Sequence, residues 1–434
     1  MNRFRPDWES LREHRLPPWY DEAKLGIFIH WGLYSVPAFA PPTGELGAIP
    51  DTEWFLRNPY AEWYYNSVNV GSGPTYEHHM KTYGSDFPYE RFADMWKAER
   101  WDPDAWAELF AAAGAKYVVL VTKHHDGFCL YPSRYTDYHS VNRGPGRDIV
   151  GELAAAVRKR GMRFGLYYSS IIDWRFMSEP IYTDWDCRHL NCPTYEYADY
   201  AFKQWMELID LYHPDVMWND IGWPYAGESQ LPHLLAHYYN TCPEGVANDR
   251  FNDLWHDFWC KEYQQGSVHR DEKWEMTRGL GLSFGYNAQE GPEHILTPQQ
   301  LTGLLAGAVG NNGNLLINVG PMADGTIPAI QEASLRGVGD WLRVNGQAIY
   351  KTRPDERESL DLGDVRAHFT RTPERRYVIL ESLGPEPRVI PGLRGAFRAL
   401  DERARVQVRE TGDGLSVSAA GADGFPVVLE ESLT

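Results

Sequence analysis

Short, wholly apolar runs alternate along most of the chain with longer stretches in which apolar residues recur every three or four positions. The first kind suits strands buried on both faces and the second suits amphipathic helices. Strands are predicted at Lys24–His30, Lys116–Lys123, Arg163–Ser169, Val216–Asp220, Gly245–Arg250, Phe258–Tyr263 and Asn314–Gly320. A further strand region takes in Trp274–Arg278 and Ser283–Asn287. Between them, helices are predicted at about Pro88–Glu99, Asp104–Ala113, Asp148–Arg160, Thr194–Tyr212, Gln230–Asn240, Thr297–Val309 and Pro328–Tyr350. Several ends are marked locally. Asp102-Pro103 reads as an N-cap followed by proline at the first helical position, Gly114 and Gly161 as terminators. Pro214 forbids continuation of the helix that runs into Tyr212.

Repeated strand–helix units argue a parallel α/β fold, either a closed barrel or an open doubly wound sheet. No G-x-G-x-x-G follows a strand and no G-x-x-x-x-G-K-[ST] occurs, so the nucleotide-binding open sheets lose their main support. Polar residues stand at nearly every strand end: His30, His124, Tyr167, Asp220, Arg250, Glu262 and Asn318. That distribution is expected at the C-terminal face of a (β/α)8-like, TIM-type barrel. After Lys351 the pattern changes to short strands between Gly/Pro turns, at Val365–Thr372, Arg376–Ser382, Val406–Glu410, Leu415–Ala419 and Pro426–Glu430. The expected organisation is a catalytic barrel over residues 1–352 and a small C-terminal antiparallel β-sandwich over 353–434.

Composition narrows the partners. The 434 residues carry a formal net charge of -18, which argues against nucleic acid and anionic membrane. Aromatics reach 14%, with 17 Trp and 26 Tyr, a supply that suits a site stacking flat rings against sugar faces. Five cysteines with no Cys-x-x-Cys indicate neither a disulfide framework nor a zinc site. The stretch Met1-Asn-Arg-Phe-Arg-Pro-Asp-Trp8 lacks an apolar signal core, and no run of about 18 apolar residues occurs. A soluble, cytoplasmic protein is expected, and a homo-oligomer is compatible with the sequence.

Candidate chemistry centres on Val216-Met-Trp-Asn-Asp220. Period-two alternation puts Val216, Trp218 and Asp220 on one side. Asp220 then ends an inner strand as an acid beside an indole, costly unless a partner, solvent or substrate satisfies it. Glu262 lies near Trp259, Cys260 and Tyr263, an apolar setting of the kind that raises a carboxyl pKa. Glu62 and Glu275, each next to a tryptophan, are rival acids. Adjacent His124 and His125 are expected on opposite sides of their strand.

Phe28-Ile-His-Trp-Gly32, Ala61-Glu-Trp-Tyr64, Lys123-His-His-Asp-Gly-Phe128, Val216-Met-Trp-Asn-Asp220 and Asn314-Leu-Leu-Ile-Asn-Val-Gly-Pro321 resemble the signature blocks of the α-L-fucosidases, family 29 of the glycoside hydrolases. The likeness runs in order from about Pro6 to Tyr350. It implies retaining exo-hydrolysis of terminal α-L-fucosyl residues, with Asp220 as nucleophile, Glu262 as acid/base and no cofactor. It also implies fucose binding by His30, Glu62, Trp63, His124, His125, Tyr167, Trp218 and Arg250, with Phe284 lining the same pocket. Fucose lacks a 6-hydroxyl, so an apolar wall for its methyl group is expected, with Phe284 and Trp31 as candidates. Two rivals stand beside this reading. One is a metal-dependent barrel hydrolase using His30, His124, His125 and Asp220; the other is a non-catalytic fucose-binding lectin.

Overall fold

The computed structural model describes residues 3–189, 192–264 and 272–433. Eight parallel strands form one sheet: β1 Leu25–Ile29, β2 Tyr117–Lys123, β3 Arg163–Ser169, β4 Val216–Asp220, β5 Val246–Ala247, β6 Trp259–Glu262, β7 Trp274–Gly279 and β8 Gly313–Val319. Their order is β5-β4-β3-β2-β1-β8-β7-β6. The two ends meet through a parallel bridge between Asn248 and Phe258, and the Asp249 N–H donates to the Phe258 carbonyl at 3.1 Å. The sheet is thereby closed into a barrel.

Alternation along the strands sorts the core. Phe28, Tyr117, Val119, Val121, Tyr167, Val216, Trp218, Phe258, Cys260 and Leu316 fill the interior. Val118, Leu120, Phe164, Leu166 and Met217 face the surrounding helices. Gly26 is small by necessity, since a Cβ there would stand 2.4 Å from the Tyr117 ring.

The main helices are Pro103–Ala112, Ile149–Lys159, Tyr195–Tyr212, Leu231–Thr241, Pro298–Gly310 and Ala329–Asn345. Asp102, Asp148, Thr194 and Thr297 cap four of them by accepting backbone N–H bonds, and Gln300 completes a capping box with Thr297. His213, at φ 46°, ends the helix before Pro214.

Three predicted elements come out differently. The helix expected at Pro88–Glu99 shrinks to Tyr89–Arg91 and Phe92–Met95, because the chain turns extended at Trp96 and left-handed at Ala98; a helix absent from the prediction forms at Pro74–Thr82. Gly245–Arg250 yields only the two residues of β5 before a tight turn at Asp249–Phe251. Ser283–Asn287 is a loop, not a strand. Side chains satisfy its backbone instead: Glu290 accepts from the Ser283 N–H and Asn318 donates to the Phe284 carbonyl.

The C-terminal part pairs a six-stranded antiparallel sheet with a three-stranded one around Val365, Phe369, Val378, Leu380, Ile390, Leu415, Val417 and Leu429. The strand Arg388–Pro391 is an addition to those predicted. Tyr377, Ile379 and Val428 turn the other way into the barrel's core.

Candidate active site

A cavity of about 390 Å³ opens where the barrel strands end. His30, Glu62, Trp63, His124, His125, Tyr167, Trp218, Asp220, Arg250, Glu262 and Phe284 all line it, so most residues named from the sequence for this site converge there, with Trp31 and Glu275 the exceptions. A larger hollow of about 470 Å³ lies elsewhere, between the helix Pro298–Gly310 and the C-terminal sheet, and holds none of them.

Asp220 is the last residue of β4 and Tyr167 stands on β3 opposite Trp218. The Tyr167 hydroxyl donates to Asp220 Oδ2 at 2.6 Å, and Arg250 Nη1 donates to Oδ1 at 2.5 Å. Burial alone would raise the Asp220 carboxyl; the Arg250 charge and the Tyr167 hydrogen bond outweigh it and hold the group below the ordinary carboxylate range. Asp220 is therefore a buried anion lining the cavity. Arg250 Nη2 meanwhile donates to Glu262 Oε2 at 3.0 Å, so one guanidinium touches both carboxylates. Its Cζ sits 4.7 Å from the Trp218 ring centroid, a cation–π seat.

Glu262 ends β6. The surroundings differ from the apolar ones its sequence neighbours suggest: besides Arg250, the Tyr60 hydroxyl donates to Oε1 at 3.2 Å. Tyr60 belongs to the long segment between β1 and β2, as do Leu46, Trp54 and Phe55, which also line the cavity. None of these four was singled out from the sequence. The density of aromatics around the Glu62-Trp63 pair was the available signal.

Of the rival acids, Glu62 lines the cavity and Glu275 does not. Glu62 Oε2 accepts from the Gly285 N–H at 2.7 Å and from the Ser283 hydroxyl at 3.2 Å; burial nevertheless pushes its carboxyl up to about 7. Glu275 lies fully buried beneath the cavity. It accepts from Tyr20 at 2.8 Å, Tyr117 at 2.5 Å and the Trp218 indole N–H at 2.9 Å. Burial still pushes it up to about 6.

The histidines depart from strict alternation. β2 stops at Lys123 with a register shift near its end, so His124 and His125 fall in a turn and both rings reach the cavity, 4.1 Å apart. Ser169 spends its hydroxyl proton on the Ile172 carbonyl, which leaves its oxygen to accept from His125 Nδ1 at 2.6 Å. His125 Nε2 then presents a lone pair, 3.7 Å from Asp220 Oδ2. His30 Nδ1 likewise donates to Asn318 Oδ1 at 2.7 Å, since the Asn318 amide nitrogen is committed to Phe284. Burial lowers His30 to about 4 and also drives His124 and His125 well below the ordinary imidazole range, so the three rings are neutral near pH 7.

Trp31 is not a wall of the cavity. It follows His30 on the outer side of the barrel, packs among Trp96, Trp101 and Trp106, and donates to the Met322 carbonyl. Phe28, one strand step below His30 and facing inward, takes that place beside Phe284.

Comparison with known proteins agrees with this geometry. The family model described as Alpha-L-fucosidase matches residues 1–347. The chain belongs to the α-L-fucosidase family. It is 38% identical over 376 residues to an alpha-L-fucosidase of Branchiostoma floridae, covering 82% of this chain and 78% of that one. It is also 38% identical over 364 residues to the tissue alpha-L-fucosidase of Bos taurus, covering 81% and 72%. Among solved structures, a Thermotoga maritima alpha-fucosidase in complex with fucose superposes with a TM-score of 0.90 at 50% identity, over 99% of this chain and all of that one. Family membership makes this barrel with its β-sandwich a glycoside hydrolase.

Proposed function

We propose that this family member hydrolyses terminal α-L-fucosyl residues of oligosaccharides or glycoconjugates with retention of configuration, through a covalent fucosyl-enzyme. Asp220 attacks the anomeric carbon while Glu262 protonates the leaving oxygen. Glu262 then takes a proton from the water that releases fucose. The observation that carries this reading is the Arg250 guanidinium shared by the two carboxylates. Retaining chemistry needs the carboxyl groups about 5–5.5 Å apart, a gap one guanidinium can bridge. Arg250 and Tyr167 keep Asp220 ionised for attack. Esterification of Asp220 removes its negative charge from the pair, which suits the switch of Glu262 from acid to base.

His30, Glu62, His124, His125 and Arg250 supply polar contacts for the sugar hydroxyls, with Trp63, Tyr167 and Trp218 as flat surfaces. Phe28 and Phe284 offer the apolar wall for the methyl group. No cofactor enters this scheme. The buried free thiols of Cys129, Cys192, Cys242 and Cys260 support placing the reaction in the cytoplasm.

The test is direct. Asp220→Gly should lower turnover of an aryl α-L-fucoside by about 10³-fold or more. A mechanism-based fucosyl inhibitor should label Asp220, and NMR should show α-L-fucose as the first-formed anomer. First release of the β-anomer would reject the double displacement.

A metal-dependent reading draws on one observation: ligand atoms of His124, His125 and Asp220 lie within 4.8 Å of one another. Asp220 already accepts from Tyr167 and from a guanidinium whose positive charge would repel a dication. Full activity after exhaustive chelation is the expected result. A non-catalytic lectin would need neither carboxylate, and the same fucoside assay distinguishes it.

A further inference from the structure

Glu275 has no place in the scheme above, yet it is the most enclosed carboxylate near the site. It points into the barrel one inward step below Thr277, which lines the cavity, and is itself fully buried. Barrel closure does not explain an acid there. A buried charge costs several kcal/mol, and an apolar filling of similar volume is often as stable or more so. What distinguishes its surroundings is the third donor. Tyr20 and Tyr117 share Oε2, whereas among the described residues Oε1 receives only the indole N–H of Trp218.

We infer that Glu275 is a positioning residue for catalysis, holding the Trp218 ring so that Arg250 stays aligned on both Asp220 and Glu262. This rests on the function proposed above and adds a residue to it. The chain of contacts is continuous. Glu275 fixes the indole by its N–H; the indole face seats the Arg250 guanidinium at 4.7 Å; Arg250 bonds both carboxylates. Trp218 also stacks on Tyr167, ring centroids 5.5 Å apart, and Tyr167 donates to Asp220. An anion on the N–H has a second effect. It drives electron density into the indole, and a more electron-rich face attracts a guanidinium more strongly. With its carboxyl raised only to about 6, Glu275 is mostly ionised at neutral pH. Tyr20, Tyr117, Cys260 and Lys273 are the other titratable groups that bear on it.

The experiment uses the full chain and an aryl α-L-fucoside, with wild-type turnover measured first; its absence would remove the proposed function and not bear on Glu275 alone. Glu275→Gln keeps the shape and an acceptor for the indole but loses the charge. Its kcat should fall about 10-fold with KM changed less than about twofold. In a Trp218→Phe background, which has no N–H, Glu275→Gln should cost less than about twofold more. Tyr117→Phe removes a donor to the same carboxylate without touching Trp218; kcat should stay within about twofold of wild type while Tm drops. An unchanged kcat in Glu275→Gln overturns the inference. So does a loss that persists in full without the indole, or an equal loss in Tyr117→Phe. If Glu275→Gln fails to fold, NMR of the wild type decides. The Trp218 indole proton, identified by its disappearance in Trp218→Phe, should lie far downfield as expected for a bond to an anion. An ordinary shift sinks the idea.

Discussion

Glu62 shows how one buried side chain writes itself into the pH dependence of the whole protein. Burial pushes its folded carboxyl up to about 7 from an ordinary 4.5, because it disfavours the charge more than the Gly285 and Ser283 hydrogen bonds favour it. Between those values the native state binds more protons than the unfolded chain. Its stabilising contribution is therefore complete below about pH 4.5 and disappears as pH rises through about 7. Glu62→Gln has no such slope. From pH 5 to pH 8, the stability of wild type relative to this variant should fall by roughly 2–3 kcal/mol, read by chemical denaturation at the two pH values. A difference that stays constant across that range would falsify the burial argument. The residues of the site were legible to different degrees for physical reasons. Asp220, Trp218 and Tyr167 lie on strands, where period-two alternation fixes the direction of a side chain. Trp31, expected from the sequence to be an apolar wall, obeys the same alternation and is turned outward by it, among Trp96, Trp101 and Trp106. Tyr60, Trp54 and Phe55 sit where a long connection runs in single helical turns and loops, too short in each piece for a period to tell which way a ring points.

At the scale of elements, the ends of β2 and β3 are tied together by a fully buried ion pair. Lys123 Nζ reaches Asp173 Oδ2 at 3.1 Å and lies 4.6 Å from the Tyr168 ring centroid. Asp173 also accepts from the Arg175 N–H, and the Trp174 N–H donates to the His125 carbonyl. The turn that places His125 is thus fastened to the turn after β3. Removing one member of a buried pair leaves the other uncompensated, at about 3–5 kcal/mol. Asp173→Ala should lose that much in urea denaturation and raise KM through the displaced histidines. Lys123→Met combined with Asp173→Leu should recover most of the stability. A single variant costing under about 1 kcal/mol would show that water reaches the pair. Elements with local punctuation were readable in advance: Asp102, Asp148, Thr194 and Thr297 cap the helices the sequence places behind them. β5 and the Ser283–Asn287 loop were not. The Ala247 N–H donates to Asp257, the Ser283 N–H to Glu290, and Asn318 donates to the Phe284 carbonyl, so side chains outside the two stretches take up backbone groups that a strand ladder would otherwise pair.

At the scale of the molecule, the helix Ala329–Asn345 joins three bodies of packing. It lies against the helix Pro103–Ala112, where a Cβ on Gly339 would come 2.0 Å from the Ala112 carbonyl oxygen. It packs beside the helix Pro298–Gly310, where a Cβ on Gly337 would stand 2.5 Å from Pro298. On its far side Trp341 donates to the Pro426 carbonyl at 2.8 Å, fastening the C-terminal sheets to the barrel. The first and last barrel helices therefore meet through a position with no room for a methyl group, and the obstacle is backbone that cannot swing aside. Gly339→Ala should cost about 1–3 kcal/mol by overpacking. Trp341→Phe, which removes one buried hydrogen-bond donor, should cost about 1–3 kcal/mol by orphaning a carbonyl. None of these residues lines the catalytic cavity. Both variants should therefore lower Tm while leaving KM for an aryl α-L-fucoside within about twofold of wild type. A changed KM in Gly339→Ala would mean that strain at this seam travels along β8 to His30 and Asn318, and that the barrel responds as one rigid body instead of absorbing the strain in its outer ring of helices.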